Sequence, residues 1–204
     1  MDAITIIADE LKVRDRERWL ACLYAAAPAR PALVALFALD CELAHVVATT
    51  SEPMLGEIRL AWWRDRLCDL DTAPAPAQPL LQALQVHVLP REVTGAALSA
   101  LEDRWLGLLE SRDVGEAHVA GGAALFALAA RLLGSDETEA AALGRAWVLG
   151  EAVPGRTAML LRPLRALASL AARDAAVARA GRPREHPGSA GRQWQMLKAV
   201  ALGR

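Results

Sequence analysis

Residues 38–67 read ALDCELAHVVATTSEPMLGEIRLAWWRDRL and predict two helices that meet at Ser51, Glu52 and Pro53. The first half continues a helix that begins near Pro31 and is apolar over most of its circumference, a pattern typical of a central helix buried on several sides. Serine at the N-cap, an acid in the first turn and proline where no N–H is needed predict the start of the second helix. That helix is expected to reach about Cys68.

Apolar residues recur at helical spacing along the rest of the chain, and no stretch shows a sustained period of two. Further helices are predicted at 14–27, 80–89, 92–109, 116–133, 136–153 (with Ser135 as N-cap), 164–180 and around Trp194 and Leu197. The chain has 204 residues, 54% of them apolar, and a net charge of −1, so it can bury a core and is not dominated by disorder. The prediction is an all-α fold in which residues 1–204 form one domain.

Charge is distributed unevenly along the chain. Residues 1–151 contain 13 basic and 22 acidic residues, whereas residues 152–204 contain 10 basic and 2 acidic residues. A basic segment such as 156–204 on an acidic body can dock on an anionic membrane, on nucleic acid or on its own body. Within it, helix 164–180 is predicted to be amphipathic, with Arg162, Arg165 and Arg173 opposite its apolar side. Peripheral contact with anionic lipid and coverage of the acidic body are both open interpretations of this helix.

Cysteine and histidine usage favours a cytoplasmic protein without a metal centre. The three widely spaced cysteines, Cys22, Cys41 and Cys68, are predicted to be reduced and buried in helices. The four histidines have no ligand spacing with cysteine or with one another, so a zinc site is not expected. Charge-free stretches such as 117–130 are predicted to be too short to cross a bilayer. We expect no nucleic-acid partner, because the overall charge is near zero and no helix-turn-helix signature stands out.

Several short motifs together resemble the squalene/phytoene synthase family, and in particular its short, divergent bacterial members. These members are in turn similar to the mitochondrial complex I assembly factor of the same fold. The motifs are FAL at 37–39, ELA at 42–44, SEP at 51–53, GEIRL at 56–60, WWR at 62–64, VAGG at 119–122 and LGRAW at 143–147. The resemblance covers roughly residues 28–165. It implies an isoprenoid-synthase-like helical bundle around a central cavity, shortened at its C-terminus.

The resemblance also implies where the chemistry of active family members resides, and this chain departs from that pattern. In active members two aspartate-rich motifs face each other across the cavity and hold Mg²⁺ and diphosphate. Carried over residue by residue, the first motif places Ala44, His45 and Ala48 where the metal-binding acids belong, with Glu42 nearby. The positions of the second motif are occupied by Val148, Glu151, Gly155 and Met159. No cofactor is therefore expected, and Mg²⁺ only if the chain is an enzyme after all.

Seven residues from these stretches are candidates for lining a pocket. They are Glu42, His45, Glu57, Arg59, Trp62, Trp63 and Glu151. The two tryptophans could line a lipid-sized apolar pocket, although packing between helices is favoured. Glu57 and Arg59 could reach a polar ligand head, with a surface ion pair as the alternative. His45 is predicted to be a hydrogen-bonded core histidine rather than a catalytic base.

Two hypotheses about function follow from the resemblance and the departures. The leading one is a non-catalytic binding or assembly module, similar to the complex I assembly factor, that lies in the cytoplasm or peripherally at the inner membrane. Its expected partner is an isoprenoid lipid or a respiratory-complex protein. The alternative is a prenyl transferase that condenses two isoprenyl diphosphates head to head with substitute acids such as Glu42, Asp65 or Glu102. Those acids would have to face each other across one cavity.

Overall fold

Helices make up the regular structure of the part of the chain that the computed structural model describes, residues 2–110 and 113–204. The α-helices, numbered in chain order, are α1 Ala3–Arg14, α2 Arg16–Tyr24, α3 Arg30–Thr49, α4 Pro53–Asp69, α5 Pro79–His87, α6 Gly95–Ser99, α7 Asp103–Glu110, α8 Glu116–Leu133, α9 Glu137–Leu149, α10 Arg162–Arg179 and α11 Ala190–Leu202. Short 3₁₀ turns connect several of them, including Met159–Leu161 before α10. The predicted all-α fold is confirmed.

Helix α3 lies at the centre of the bundle. It begins with Pro31 in its first turn, where the missing N–H costs nothing. Every residue from Ala32 to Asp40 is buried, because α3 contacts α1, α2, α4, α5, α7 and α8. The prediction of a central helix buried on several sides is confirmed, and this helix carries an ionisable residue, Asp40, into the middle of the core.

Local capping explains where the predicted helix boundaries differ from the structure. The helix predicted at 14–27 is divided at Asp15, whose carboxylate accepts hydrogen bonds from the N–H groups of Glu17 and Arg18 and starts a new helix. The helix predicted at 92–109 is likewise divided, into α6, a 3₁₀ turn and α7. Ser51 and Ser135 were wrong as N-caps, because Glu52 and Asp136 occupy those positions.

Helices α8 and α9 each end at a glycine. Helix α8 ends at Gly134, which adopts a left-handed conformation with φ of 67°, as the sequence predicts. Helix α9 was predicted to continue to Val153 but ends at Leu149, because Gly150 has φ of 64°. Glu151, Gly155 and Met159 therefore lie beyond α9 rather than on it.

The basic C-terminal segment docks on its own body. Arg192, buried on α11, pairs with Glu17 on α2 and with Asp174 on α10. Arg165 was predicted to face away from the apolar side of α10, but it is buried, and its guanidinium donates to Thr157 Oγ1 at 3.1 Å and to the Val153 carbonyl. The apolar face of α10 packs against α2, α9 and α11. Helix α10 therefore covers the body of the protein, which is one of the two interpretations that the sequence left open.

The cysteines and the apolar helices bring two further corrections. Cys22 is buried as predicted, but Cys41 is half-buried and Cys68 is exposed, and all three are free thiols. Two helical stretches, residues 27–49 and Glu116–Leu133, are long and apolar enough to cross a membrane by length and composition alone. About half of each stretch, 56% and 50%, is buried inside the bundle, and core helices pass the same test.

Candidate functional site

The centre of the bundle holds a buried carboxylate between two guanidinium groups. Asp40 has no exposed surface, and its Oδ1 accepts hydrogen bonds from Arg104 Nη1 at 3.0 Å and from the Trp105 indole N–H at 3.2 Å. Arg18 Nη2 lies 3.0 Å from the other oxygen, Oδ2. A buried charge is tolerated only when it is paired and hydrogen-bonded, and here two donors hydrogen-bond to Oδ1 while the Arg18 guanidinium forms an ion pair with Oδ2. We call Arg18, Asp40 and Arg104 the central triad.

The two arginines of the triad are also held by aromatic rings and by polar neighbours. The guanidinium carbon of Arg18 lies 5.0 Å from the centre of the Trp147 ring, and that of Arg104 lies 5.3 Å from the same ring. Such cation–π contacts are strongest where water is excluded. Arg18 also donates to Cys41 Sγ at 2.8 Å and pairs with Asp15 at 3.3 Å. The triad therefore connects α2, α3, α7 and α9 through electrostatic contacts.

Burial and charge act in opposite directions on the ionisable groups around the triad. Burial disfavours the charged form of Arg18, but Asp40, Cys41 and Asp15 together outweigh it, so the pKa of Arg18 lies above its ordinary value. Burial lowers the pKa of Arg104, and the attraction of Asp40 offsets only part of that effect. Burial raises the pKa of the Cys41 thiol to about 11 despite the nearby Arg18. Cys41 is consequently a protonated thiol at neutral pH and not a nucleophile.

His118 on α8 completes the polar core. Its Nδ1 lies 2.8 Å from the Arg104 carbonyl oxygen and its Nε2 lies 3.2 Å from Arg104 Nη2. A carbonyl can only accept and a guanidinium can only donate, so Nδ1 carries the proton and Nε2 accepts. The ring also packs edge-on against Trp105, with centroids 5.0 Å apart. His118 is therefore neutral in this arrangement.

We expect the stability of the protein to fall as the pH drops below about 6.5 because of His118. Burial, followed by the charge of Arg104, lowers the pKa of His118 below its ordinary value. Between the lowered and the ordinary value the unfolded chain binds a proton that the folded chain does not, so the free energy of unfolding decreases by up to about 1.4 kcal/mol per pH unit. Urea unfolding between pH 7.5 and 5.5 measures this slope.

The His118→Gln variant should flatten that dependence, whereas His45→Gln, at an exposed position of α3, should retain it. An unchanged slope in the His118 variant would assign the dependence to other groups.

The pocket residues predicted on the motif helices do not converge. Glu42 is half-buried and forms an ion pair with Arg14 on α1. His45 is exposed, so the prediction of a core histidine was wrong; the helix turns it away from the packed face that carries Val46. Glu151 is exposed in the segment that follows α9, where Gly150 has already ended the helix.

The predicted residues on α4 divide between core and surface. Trp63 is buried with 6% of its surface exposed, and Trp62, edge-on to it at 5.1 Å, is 47% exposed. Packing is thus the role of Trp63. Glu57 is exposed, and Arg59 donates to Thr50 Oγ1 at 3.0 Å, so this arginine stabilises the α3–α4 connection. Arg59 therefore contacts Thr50, and the predicted surface pair with Glu57 is not its observed contact.

The substitute acids also occupy separate environments. Asp65 has a side chain that is 60% exposed and contacts Arg64 at 3.3 Å. Glu102 is buried in a groove between α4 and α7, with Arg64 at 3.8 Å, and burial raises its pKa. Among residues 2–110 and 113–204, no group of three His, Cys, Asp or Glu side chains has the arrangement of a metal site.

The cavity beside the triad is small. It has a volume of about 170 Å³ and is lined by Arg18 and Trp147, by apolar residues of α10, and by the charged groups that hold α11 to the body. Pockets for small-molecule ligands usually measure about 300–1,000 Å³. The triad, the rings and the docked C-terminal segment fill most of the space at the centre of the bundle.

Sequence reasoning missed the triad and the rings around it. One signal was present: Asp40 lies in an otherwise apolar run of α3, and a buried carboxylate requires a partner. Its partners, Arg18 and Arg104, could not be chosen among the 21 arginines of the chain without the tertiary arrangement.

Comparison with known proteins gives one result. A model of the squalene/phytoene synthase family matches residues 11–107, which include α2, α3, α4 and all three residues of the central triad. Searches among curated proteins and among solved structures give no significant match.

Proposed function

Residues 11–107 match the squalene/phytoene synthase family, and from that likeness we propose that the chain is a divergent member that acts as a non-catalytic binding or assembly module. The observation that carries the proposal is the central triad. An arginine–aspartate–arginine cluster occupies the interior of the bundle, and the α3 positions to which the resemblance assigns metal-binding acids hold Ala44, His45 and Ala48. In this proposal the helical scaffold is kept without the metal-binding acids, and an ion-pair network stabilises its interior.

The charges of the triad explain why this interior is unsuited to diphosphate ionisation. Departure of a diphosphate requires positive charge that is available to the leaving group. Arg18 and Arg104 are instead engaged by Asp40, by Asp15 and by the Trp147 ring. The cavity beside the triad, at about 170 Å³, is also smaller than the usual pocket for a small-molecule ligand.

The positions of the substitute acids favour the non-catalytic module over the prenyl transferase. Glu42 is paired with Arg14, Asp65 faces solvent, and Glu102 lies in a groove at the side of the bundle. Acids that share Mg²⁺ with one diphosphate must lie on one cavity and within a few ångströms of the same ion.

Helix α4 supplies the surface for a binding function. Met54, Ile58 and Trp62 follow one another at intervals of four residues and are 71%, 59% and 47% exposed, with Leu55 beside them at 51%. Residues spaced by four lie on one face of a helix, so these side chains form a single strip, which we call the α4 strip. Exposed apolar strips of this kind fit protein partners. The proposed partner is a respiratory-complex protein, met in the cytoplasm or at the inner membrane.

Native mass spectrometry of the protein purified from its host tests the proposal. We expect a discrete protein companion that is lost in Ile58→Glu and retained in Val13→Glu, a matched control on α1 whose residue is 86% exposed. Circular dichroism of both variants verifies that the fold is intact. A companion that both variants retain would exclude the α4 strip, and a bound isoprenoid in place of a protein would make the chain a lipid-binding module.

A second experiment measures enzymatic turnover of prenyl diphosphates. The purified chain is expected to release no pyrophosphate from farnesyl or geranylgeranyl diphosphate in the presence of Mg²⁺. Release that depends on Glu42, Asp65 or Glu102 would establish the prenyl transferase and overturn the proposal.

A further inference from the structure

A second exposed apolar patch lies at the C-terminal end of the structure. Its members share large side chains with at least two fifths of their surface in solvent. They are Met159 (73% exposed), Leu160 (44%), Trp194 (60%), Leu197 (45%) and Leu202 (47%), and we call them the C-terminal corner. They come from the 3₁₀ turn before α10 and from α11. Both elements are distant in sequence from the α4 strip.

Hydrogen bonds to backbone carbonyls join the two parts of the corner. The Thr157 N–H donates to the Gly203 carbonyl at 2.8 Å, and Arg162 Nη1 donates to the carbonyls of Val200 and Ala201, each at 3.1 Å. These bonds place the 3₁₀ turn Met159–Leu161 beside the C-terminal end of α11. The corner is therefore one surface rather than two separate patches.

The buried face of α11 determines which residues it presents outward. Arg192, Met196 and Ala199 are 1%, 0% and 1% exposed and lie on one side of the helix. Trp194 and Leu197 lie on the opposite side at helical spacing, so they cannot turn inward without undocking α11.

Basic side chains accompany the corner, and one acid of the body, Glu139, lies beside it and accepts from the Ala158 N–H at 3.0 Å. Among the residues that the structure describes, the basic side chains in the stretches that form the corner, Arg156, Lys198 and Arg204, form no ion pair. The two acids of the segment, Asp174 and Glu185, are already engaged by Arg184, Arg192 and Arg173. The α4 strip differs, because its helix carries as many acids as arginines, three of each.

We infer that the C-terminal corner contacts the surface of an anionic lipid bilayer, an interaction that goes beyond the proposed partner binding at α4. Tryptophan and leucine side chains insert at the boundary between headgroups and acyl chains, and arginine and lysine bind the anionic headgroups. Helix α10, the sequence candidate for lipid contact, has its apolar face buried and does not provide this surface. Nucleic acid would use the cations but not the exposed aliphatic side chains, so a bilayer fits the corner better.

Sedimentation with vesicles tests the inference on the full chain. The protein is expected to sediment with vesicles of phosphatidylcholine and phosphatidylglycerol in a 7:3 ratio and not with phosphatidylcholine alone. The double variants Trp194→Ser/Leu197→Ser and Arg156→Glu/Arg204→Glu should each weaken the apparent affinity about 10-fold or more, because one removes the inserted groups and the other the charge attraction.

The matched control is Met54→Ser/Ile58→Ser on the α4 strip, which should leave vesicle binding unchanged. Wild-type binding by the Trp194/Leu197 variant, or no binding of the wild-type chain to anionic vesicles, overturns the inference. A protein companion that this variant alone loses in native mass spectrometry would assign the corner to a protein partner instead. If Ile58→Glu loses the protein companion but still binds vesicles, then membrane contact at the corner and partner binding at the α4 strip are independent properties.

Discussion

Replacement of Asp40 by alanine is expected to destabilise the protein by about 3–5 kcal/mol, because it leaves two buried guanidinium groups without their counter-charge. Arg104 has 1% of its side chain exposed and Arg18 has 10%, so water cannot replace the lost carboxylate. The indole N–H of Trp105 loses its acceptor as well. Urea unfolding followed by circular dichroism measures the change in the free energy of unfolding.

Two further variants keep this prediction testable if the alanine variant fails to fold. Asp40→Asn retains an acceptor for Arg104 and Trp105 but not the charge, and an intermediate loss is expected. Glu42→Gln is the control on the same helix: its ion pair with Arg14 is partly exposed, at 23% and 39%, and its loss should cost less than about 1 kcal/mol. Equal effects at positions 40 and 42 would contradict the structural role of the triad.

Replacement of Gly144 by alanine is expected to be the second most damaging substitution, at about 1–3 kcal/mol or more. Helices α8 and α9 cross so closely at this point that a Cβ on Gly144 would lie 2.3 Å from the Gly122 carbonyl oxygen and 2.9 Å from the Ala123 Cα. Both obstacles are backbone atoms, so no side chain can rotate to make room. Helix α9 would have to move, and Trp147 would move with it.

Gly107→Ala is the matched control for that prediction. A Cβ at Gly107 on α7 would meet no atom within 4 Å, so alanine should be neutral or stabilising by roughly 0.5–1 kcal/mol through its higher helix propensity. Thermal unfolding of the two variants side by side gives the comparison. A Gly144→Ala variant as stable as Gly107→Ala would show that α8 and α9 do not pack as closely as described.

Local signals predicted the helices more reliably than their junctions. Helix α8 begins at Glu116 and ends at Gly134 as predicted, because apolar spacing and a glycine stop are both properties of neighbouring residues. The break at Asp15 was missed, since an aspartate inside an apolar pattern predicts a cap only after the chain is known to bend there. For the same reason Arg165 was assigned to an exposed face, although Thr157 and the Val153 carbonyl hold it inside.

The amino-acid sequence by itself determined the all-α fold, the central burial of α3 and the resemblance on which the family assignment depends. These follow from periodicity and from short motifs, which are local in the chain. Only the tertiary structure decided that Asp40 is paired with Arg18 and Arg104, and that α11 presents Trp194 outward. Those outcomes depend on partners far apart along the chain, such as Asp40 and Arg104 at a separation of 64 residues. Packing brings two of the many arginines within reach of one buried carboxylate, and no local sequence pattern identifies which two.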